Sequence, residues 1–156
     1  MLKDHKELLS VFNKHNVEYL VIGGHAVGFH AEPRGTKDLD VLIRSDAKNS
    51  QAVYSALAEF GAPLSGVVPA DFNGHPETVF QIGTPPSRID ILQGILGVAF
   101  DQAWKNRVES FVAKDIPAHV ISHDDLIANK LAVGRGQDLV DVEKIREAAS
   151  ARQSKI

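Results

Sequence analysis

No cysteine occurs in the 156 residues. Disulfides, a thiolate nucleophile and a cysteine zinc site are therefore excluded. An excess of positive charge is also missing: 17 Lys and Arg face 20 Asp and Glu, a formal net charge of −3. A protein that clamps duplex nucleic acid through its phosphates is ordinarily basic, so a nucleic-acid partner would be met only locally or weakly. No apolar stretch approaches the ~20 residues that cross a bilayer, and Met1-Leu2-Lys3-Asp4-His5-Lys6-Glu7 lacks the apolar run of a signal peptide. The expectation is a cytoplasmic protein with no membrane partner. Repeats, low-complexity tracts and linkers are absent too. What is present is a hydrophobic fraction of 44%, enough for a core, and a length that predicts one domain over 1–156.

Hydrophobic periodicity sets out the elements. Leu8, Leu9, Phe12 and Val17 predict a helix over 3–15, and the apolar run 17–22 predicts a buried strand stopping at Gly23-Gly24. Ala26, Val27, Gly28 and Phe29 suit a short helix, broken at Glu32-Pro33-Arg34-Gly35. A second strand follows at 39–43, then a helix capped by Ser45 or Asp46 and ended by Gly61. The segment 61–76 reads as a loop with one short strand at 66–68. Paired strands are expected at 77–82 and 88–92, a short helix over 100–104, and a hairpin of 109–113 with 116–121. Ser122 and Asp125 resemble a capping box. The helix after it carries Leu126, Ile127, Lys130 and Leu131 on one side, and a last helix carries Leu139, Val142 and Ile145 before a frayed tail at 151–156. This order predicts an α/β (α+β) fold, a single mixed sheet with helices packed on it.

The chemistry centres on Asp38-Leu39-Asp40. Successive strand side chains alternate between faces, so Asp38 and Asp40 share one face. Their mutual repulsion is offset most simply by a divalent cation, and magnesium takes one or two carboxylates together with substrate phosphates; an exposed edge strand is the simpler reading of this motif alone. Gly23-Gly24 stands where a strand meets a helix. Glycine there lets an anion approach the backbone amides, although an ordinary tight turn is the better reading of such a pair taken alone. Asp90 lies among apolar strand residues in Arg88-Ile89-Asp90-Ile91-Leu92. A carboxylate in that setting needs a metal or a cation such as Arg88 beside it. Together these parts meet the needs of two-metal phosphoryl chemistry.

The runs Gly23-Gly24-His25-Ala26, Arg34-Gly35-Thr36-Lys37-Asp38-Leu39-Asp40 and Arg88-Ile89-Asp90 resemble the DNA polymerase β-like nucleotidyltransferase superfamily. The likeness is to its small bacterial branch, which holds toxin-type transferases of abortive-infection systems and lincosamide-type antibiotic nucleotidyltransferases. The stretch from Asp124 to Arg135, with Asp138 and Asp141, adds to it, and the resemblance spans 17–146. Many superfamily members carry Ser after the first glycine, where this chain has Gly24; a second glycine is common in the small bacterial branch. The resemblance implies a nucleotidyltransferase-like fold. It also implies that Gly23 and Gly24 hold the β and γ phosphates, that Asp38 and Asp40 ligate Mg2+, and that Asp90 binds a second ion and helps deprotonate the attacking hydroxyl. Mn2+ would substitute for Mg2+. The activity implied is transfer of a nucleoside monophosphate from a nucleoside triphosphate to a hydroxyl of an RNA end, a protein or a small molecule, with release of pyrophosphate. The rival is a non-catalytic, antitoxin-like member that binds nucleotide or protein. A homodimer or a cognate protein partner is an expectation of the same kind.

Weaker candidates surround this set. Arg34 and Thr36 either contact phosphate or order their loop. Lys130 either snorkels from its apolar stripe or reaches the cleft to neutralise triphosphate, where the family pattern places a lysine. Arg135, Asp138 and Asp141 form either an ion-pair group setting the last two helices or part of the substrate site. His25 reads as a helix-surface residue. His5, His15, His30, His75, His119 and His123 show no zinc spacing and read as surface or loop residues.

Overall fold

The computed structural model describes residues 1–33, 35 and 37–154. Arg34 and Thr36 lie outside the described residues, and so do the last two residues of the tail. The elements run α1 (Lys3–Lys14), β1 (Tyr19–Ile22), α2 (Gly23–His30), β2 (Leu39–Ile43), α3 (Ala47–Phe60), a 3-10 turn (Pro69–Phe72), β3 (Val79–Ile82), β4 (Ile89–Leu92), α4 (Phe100–Lys105), β5 (Val108–Phe111), β6 (Pro117–Val120), α5 (His123–Val133) and α6 (Gly136–Ser154). The strands form one mixed sheet of six in the order β3-β4-β2-β1-β6-β5. This is the expected α/β class.

All four residues of β1 are buried, as are four of the five in β2. A strand buried on both faces needs a layer of helix on each side. The pair α1 and α3 supplies one layer; α2, α5 and α6, which pack together, supply the other. α3 begins where Asp46 Oδ1 accepts the amide of Asn49 at 2.7 Å, and it ends at Gly61, whose φ of +92° closes the last turn. α5 begins at Ser122, whose Oγ accepts the Asp125 amide at 3.2 Å.

Four expectations need correction. Residues 66–68 form no strand. Pro69 cannot donate to a ladder, and the Val68 amide is instead taken by Asp71 Oδ2 at 2.9 Å as the chain enters the 3-10 turn. Leu131 and Leu139 are 47% and 51% exposed; the inner stripes carry Lys130 on α5 and Asp138, Asp141, Val142 and Ile145 on α6. His5 and His30 are buried rather than superficial, because their Nε2 atoms pair with the carbonyls of Ser87 at 3.1 Å and Ile121 at 2.7 Å. The tail stays helical to Ser154 instead of fraying from residue 151.

One buried amide locks the frame on which the site stands. Asn49 accepts the Glu18 amide at 2.8 Å and donates to the carbonyls of Glu18 at 3.0 Å and Arg44 at 2.8 Å. It thereby ties α3 to the start of β1 and the end of β2. Asn49→Ala leaves the part-buried Glu18 amide and Arg44 carbonyl without this partner, while the Glu18 carbonyl keeps the Arg44 amide at 3.1 Å. It is expected to cost about 2–3 kcal/mol in urea unfolding; a loss within ±0.5 kcal/mol would show that water replaces the amide.

Candidate active site

The site is a product of strand register. β2 and β4 run parallel, with Leu39 opposite Ile89 and Asp40 opposite Asp90. Because side chains alternate, Leu39 and Ile89 turn into the core while Asp40 and Asp90 stand side by side on the other face. One step back, Asp38 and Arg88 stand level with each other. The Arg88 amide donates to Asp38 Oδ1 at 3.2 Å, and the Arg88 carbonyl accepts the Leu39 amide at 3.0 Å. Two cross-strand pairs thus lie on one face, three of the four residues acidic.

Arg88 answers part of that charge. Its Nη2 is 3.4 Å from Asp38 Oδ2 and 3.3 Å from Asp90 Oδ2. Its Nε lies 3.0 Å from Asp90 Oδ1 but out of alignment, so both atoms are buried without a hydrogen bond. Asp40 is left with burial and negative neighbours. Burial first, then Asp90 and Asp38, push its carboxyl up from 3.8 to about 7. Hard oxygen donors, an orphaned carboxylate oxygen and a proton held against its ordinary tendency form a set that suits a small divalent cation. As the side chains stand, with Arg88 bridging Asp38 and Asp90, no three His, Cys, Asp or Glu among the described residues are grouped to hold one.

Gly23 closes the site from above. It follows Ile22, which pairs with Asp40, and it has φ +64°. A Cβ there would lie 2.2 Å from Asp40 Oδ2. Gly24 is under no such demand; its added Cβ would meet only the flexible Lys37 chain, at 3.2 Å. The two glycines also open onto different spaces. Gly23 lines a cleft of about 630 Å³ together with Asp40, Asp90 and Lys130. Gly24 lines a smaller neighbouring cavity of about 350 Å³ with His25 and Lys37. His25 is held there by Nε2 on the Lys37 carbonyl at 3.0 Å and by its ring edge on His5.

The far side of the large cleft is an ion-pair network in which Lys130, Asp138 and Asp141 are buried and Arg135 is exposed. Lys130, 8% exposed, puts Nζ 3.0 Å from Asp141 Oδ2 and 3.3 Å from Asp138 Oδ1. Arg135 Nε reaches Asp138 Oδ2 at 2.8 Å, and this bond first, with Lys130 adding, draws the Asp138 carboxyl down to about 2. Lys130 therefore both lines the cleft and joins α5 to α6. Apolar cover comes from Val79, Leu92, Ile95, Leu96 and Val133. Ile95 and Leu96, in the connection after β4, carried no signal in the sequence that would have placed them here. Arg88 was legible only as a neighbour of Asp90; its reach to Asp38 depends on β2 and β4 pairing in parallel.

The fold belongs to a recognised class. Solved structures with the same fold include the lincosamide antibiotic adenylyltransferase LnuA, lincomycin-bound: 18% identity, 95% of this chain and 98% of that one, TM-score 0.59. The antibiotic-resistance factor ANT(2'')-Ia, in complex with adenylyl-2''-tobramycin, matches at 13% identity over 97% of this chain and 95% of that one, TM-score 0.58. An antigenic nucleotidyltransferase-like protein from Paracoccidioides brasiliensis matches at 12% identity over 92% and 76%, TM-score 0.52. No curated protein matches the chain. Over residues 1–148 the chain matches the family described as "Nucleotidyltransferase of unknown function (DUF6036)", and it belongs to that family. The protein is a nucleotidyltransferase.

Two measurements probe the geometry. Gly23→Ala combines a left-handed backbone with a collision on Asp40 and is expected to cost about 2 kcal/mol or more, whereas Gly24→Ala should be close to neutral. Equal melting temperatures for the two variants would contradict this. The second concerns pH in metal-free buffer. The folded chain keeps the Asp40 proton from pH 3.8 up to about 7, while the unfolded chain releases it. Stability therefore falls as pH rises through that window and levels off above it. Asp40→Asn should remove this slope, so the variant gains on wild type between about pH 4 and about pH 7 in urea titrations. A constant difference across the window would show an ordinary carboxyl.

Proposed function

We propose that the protein catalyses Mg2+-dependent transfer of a nucleoside monophosphate from a nucleoside triphosphate to a hydroxyl acceptor, with pyrophosphate as the other product. The observation that carries this is the level pairing of Asp40 with Asp90 on parallel strands beside Gly23, in a cleft that also holds Lys130. Asp38, Asp40 and Asp90 are the residues that would hold the divalent ions. Bound there, such ions neutralise phosphate charge and make an acceptor hydroxyl more acidic. Asp90, at the mouth of β4, takes the proton of that hydroxyl. At the start of α2 the Gly23 amide, in the carboxylate cleft, binds phosphate oxygens; Gly24, which opens onto the neighbouring cavity, joins it by resemblance in sequence alone. Lys130 adds positive charge from the far side of the cleft while its buried partners keep it in place. Arg34 and Thr36 belong to the same phosphate-binding group by their resemblance in sequence.

The acceptor we favour is a small molecule. A net acidic chain and an apolar lining of Val79, Ile95, Leu96 and Val133 suit it better than a polyanionic RNA. Lincomycin, bound in one structural neighbour, and tobramycin, present as its adenylyl derivative in another, are molecules of that size. The test is incubation with Mg2+ and each labelled nucleoside triphosphate against RNA, protein and small-molecule fractions. Label should enter the small-molecule fraction and fall by about a hundredfold or more in Asp40→Asn and Asp90→Asn, since losing a metal ligand costs at least as much as losing its supporting partners. Nucleotide binding without transfer to any fraction would instead make the protein a non-catalytic binder of the same fold.

A further inference from the structure

Arg88 is the residue that the proposed chemistry leaves unexplained. It stands on the carboxylate face between Asp38 and Asp90, touching both, where a cation of another kind would be held. A structural ion pair would be closed and well aligned. That description fits Lys130, whose side chain is 10% exposed and whose Nζ makes two hydrogen bonds within its network. It does not fit Arg88. The Arg88 side chain is 31% exposed, and its Nε faces Asp90 Oδ1 with neither atom hydrogen-bonded. Nor is the guanidinium needed to keep the strand in place, because the Arg88 amide and carbonyl are bonded to Asp38 and Leu39. The side chain is anchored at its base, and its partly exposed tip is held by one long hydrogen bond, from Nη2 to Asp90 Oδ2 at 3.3 Å, beside a 3.4 Å contact with Asp38.

We propose that Arg88 is a built-in counter-ion for the metal-binding carboxylates, displaced when divalent ions arrive and then paired with the anionic nucleotide; this rests on the metal-dependent reading above. Without the guanidinium, Asp38, Asp40 and Asp90 would repel one another on one sheet face. With it, two of the carboxylates stay in place at the expense of metal affinity. A divalent ion arriving with a triphosphate supplies more charge to the carboxylates and at the same time brings anionic oxygens for the released fork. Arg88 is thus a positioning residue that couples metal binding to nucleotide binding, and neither ligand alone recovers the full interaction.

The test is Mn2+ binding by calorimetry and by the spectrum of free ion, with wild type, Arg88→Gln and Arg88→Lys, each alone and with a non-hydrolysable triphosphate analogue. Melting in chelator confirms that each variant is folded. A positive charge within a few ångströms of a carboxylate opposes a second cation by roughly ten- to a thousandfold. Arg88→Gln is therefore expected to bind Mn2+ alone about tenfold or more tightly than wild type, while its affinity for the analogue in Mn2+ falls by about tenfold. Arg88→Lys, which keeps the charge and loses the fork, should fall between the two. Mn2+ affinity in folded Arg88→Gln equal to or weaker than wild type would overturn the counter-ion role and leave the metal site standing. Wild type that takes up no Mn2+ even with the analogue would overturn the metal-dependent reading itself.

Discussion

The structure depends on two carboxyl groups being held next to each other. The parallel register of β2 and β4 sets Asp40 beside Asp90. A slip of one residue in either strand would turn that strand's carboxylate into a layer filled by Leu39, Val41, Ile89 and Ile91, where nothing could solvate it. The apolar alternation of the two strands therefore specifies the register, and the acidic pair is its consequence on the opposite face. The repulsion shows in the raised carboxyl of Asp40 and in the placement of Arg88. Stability given up here is recovered in the core behind it, as functional sites in folded proteins commonly require.

The rest of the fold keeps this unfavourable corner accessible and rigid. β1 and β2 are central strands covered on both faces, and Asn49 fastens their ends to α3. α2 starts directly over the carboxylates because Gly23 is the one residue type that fits both its backbone and the space above Asp40. On the far side of the cleft, α5 and α6 are joined through Lys130, Asp138, Asp141 and Arg135. That network has both signs and closes on itself. The network at Asp38, Asp40, Asp90 and Arg88 has an excess of negative charge and does not.

Most of the site residues were legible early because their chemistry is out of place locally. Carboxylates in strands and a glycine pair at a strand end are exceptions to ordinary patterning, and exceptions stand out. Errors arose where a polar residue occupies a core position. Leu139 was expected on the inner stripe because hydrophobicity is read one residue at a time, while that stripe is taken by Asp138, whose burial is settled by its pairing with Arg135 and with Lys130 on the preceding helix. His5 shows the same thing. It shares helical spacing with Leu8, Leu9 and Phe12, yet its residue type suggested the surface until the Ser87 carbonyl supplied a partner.

By itself, the sequence determined the order of helices and strands, the α/β class and the short roster of acidic and glycine residues worth suspecting, since these follow from local periodicity, backbone preference and composition. Only the tertiary structure decided which of them meet. It brought Gly23, Asp40, Asp90 and Lys130 into one cleft, gave Gly24 to a neighbouring cavity, and set Arg88 between two carboxylates. The physical reason is that pairing β2 with β4 joins segments about fifty residues apart. Such contacts are chosen by the packing of the whole core, and no local signal records them.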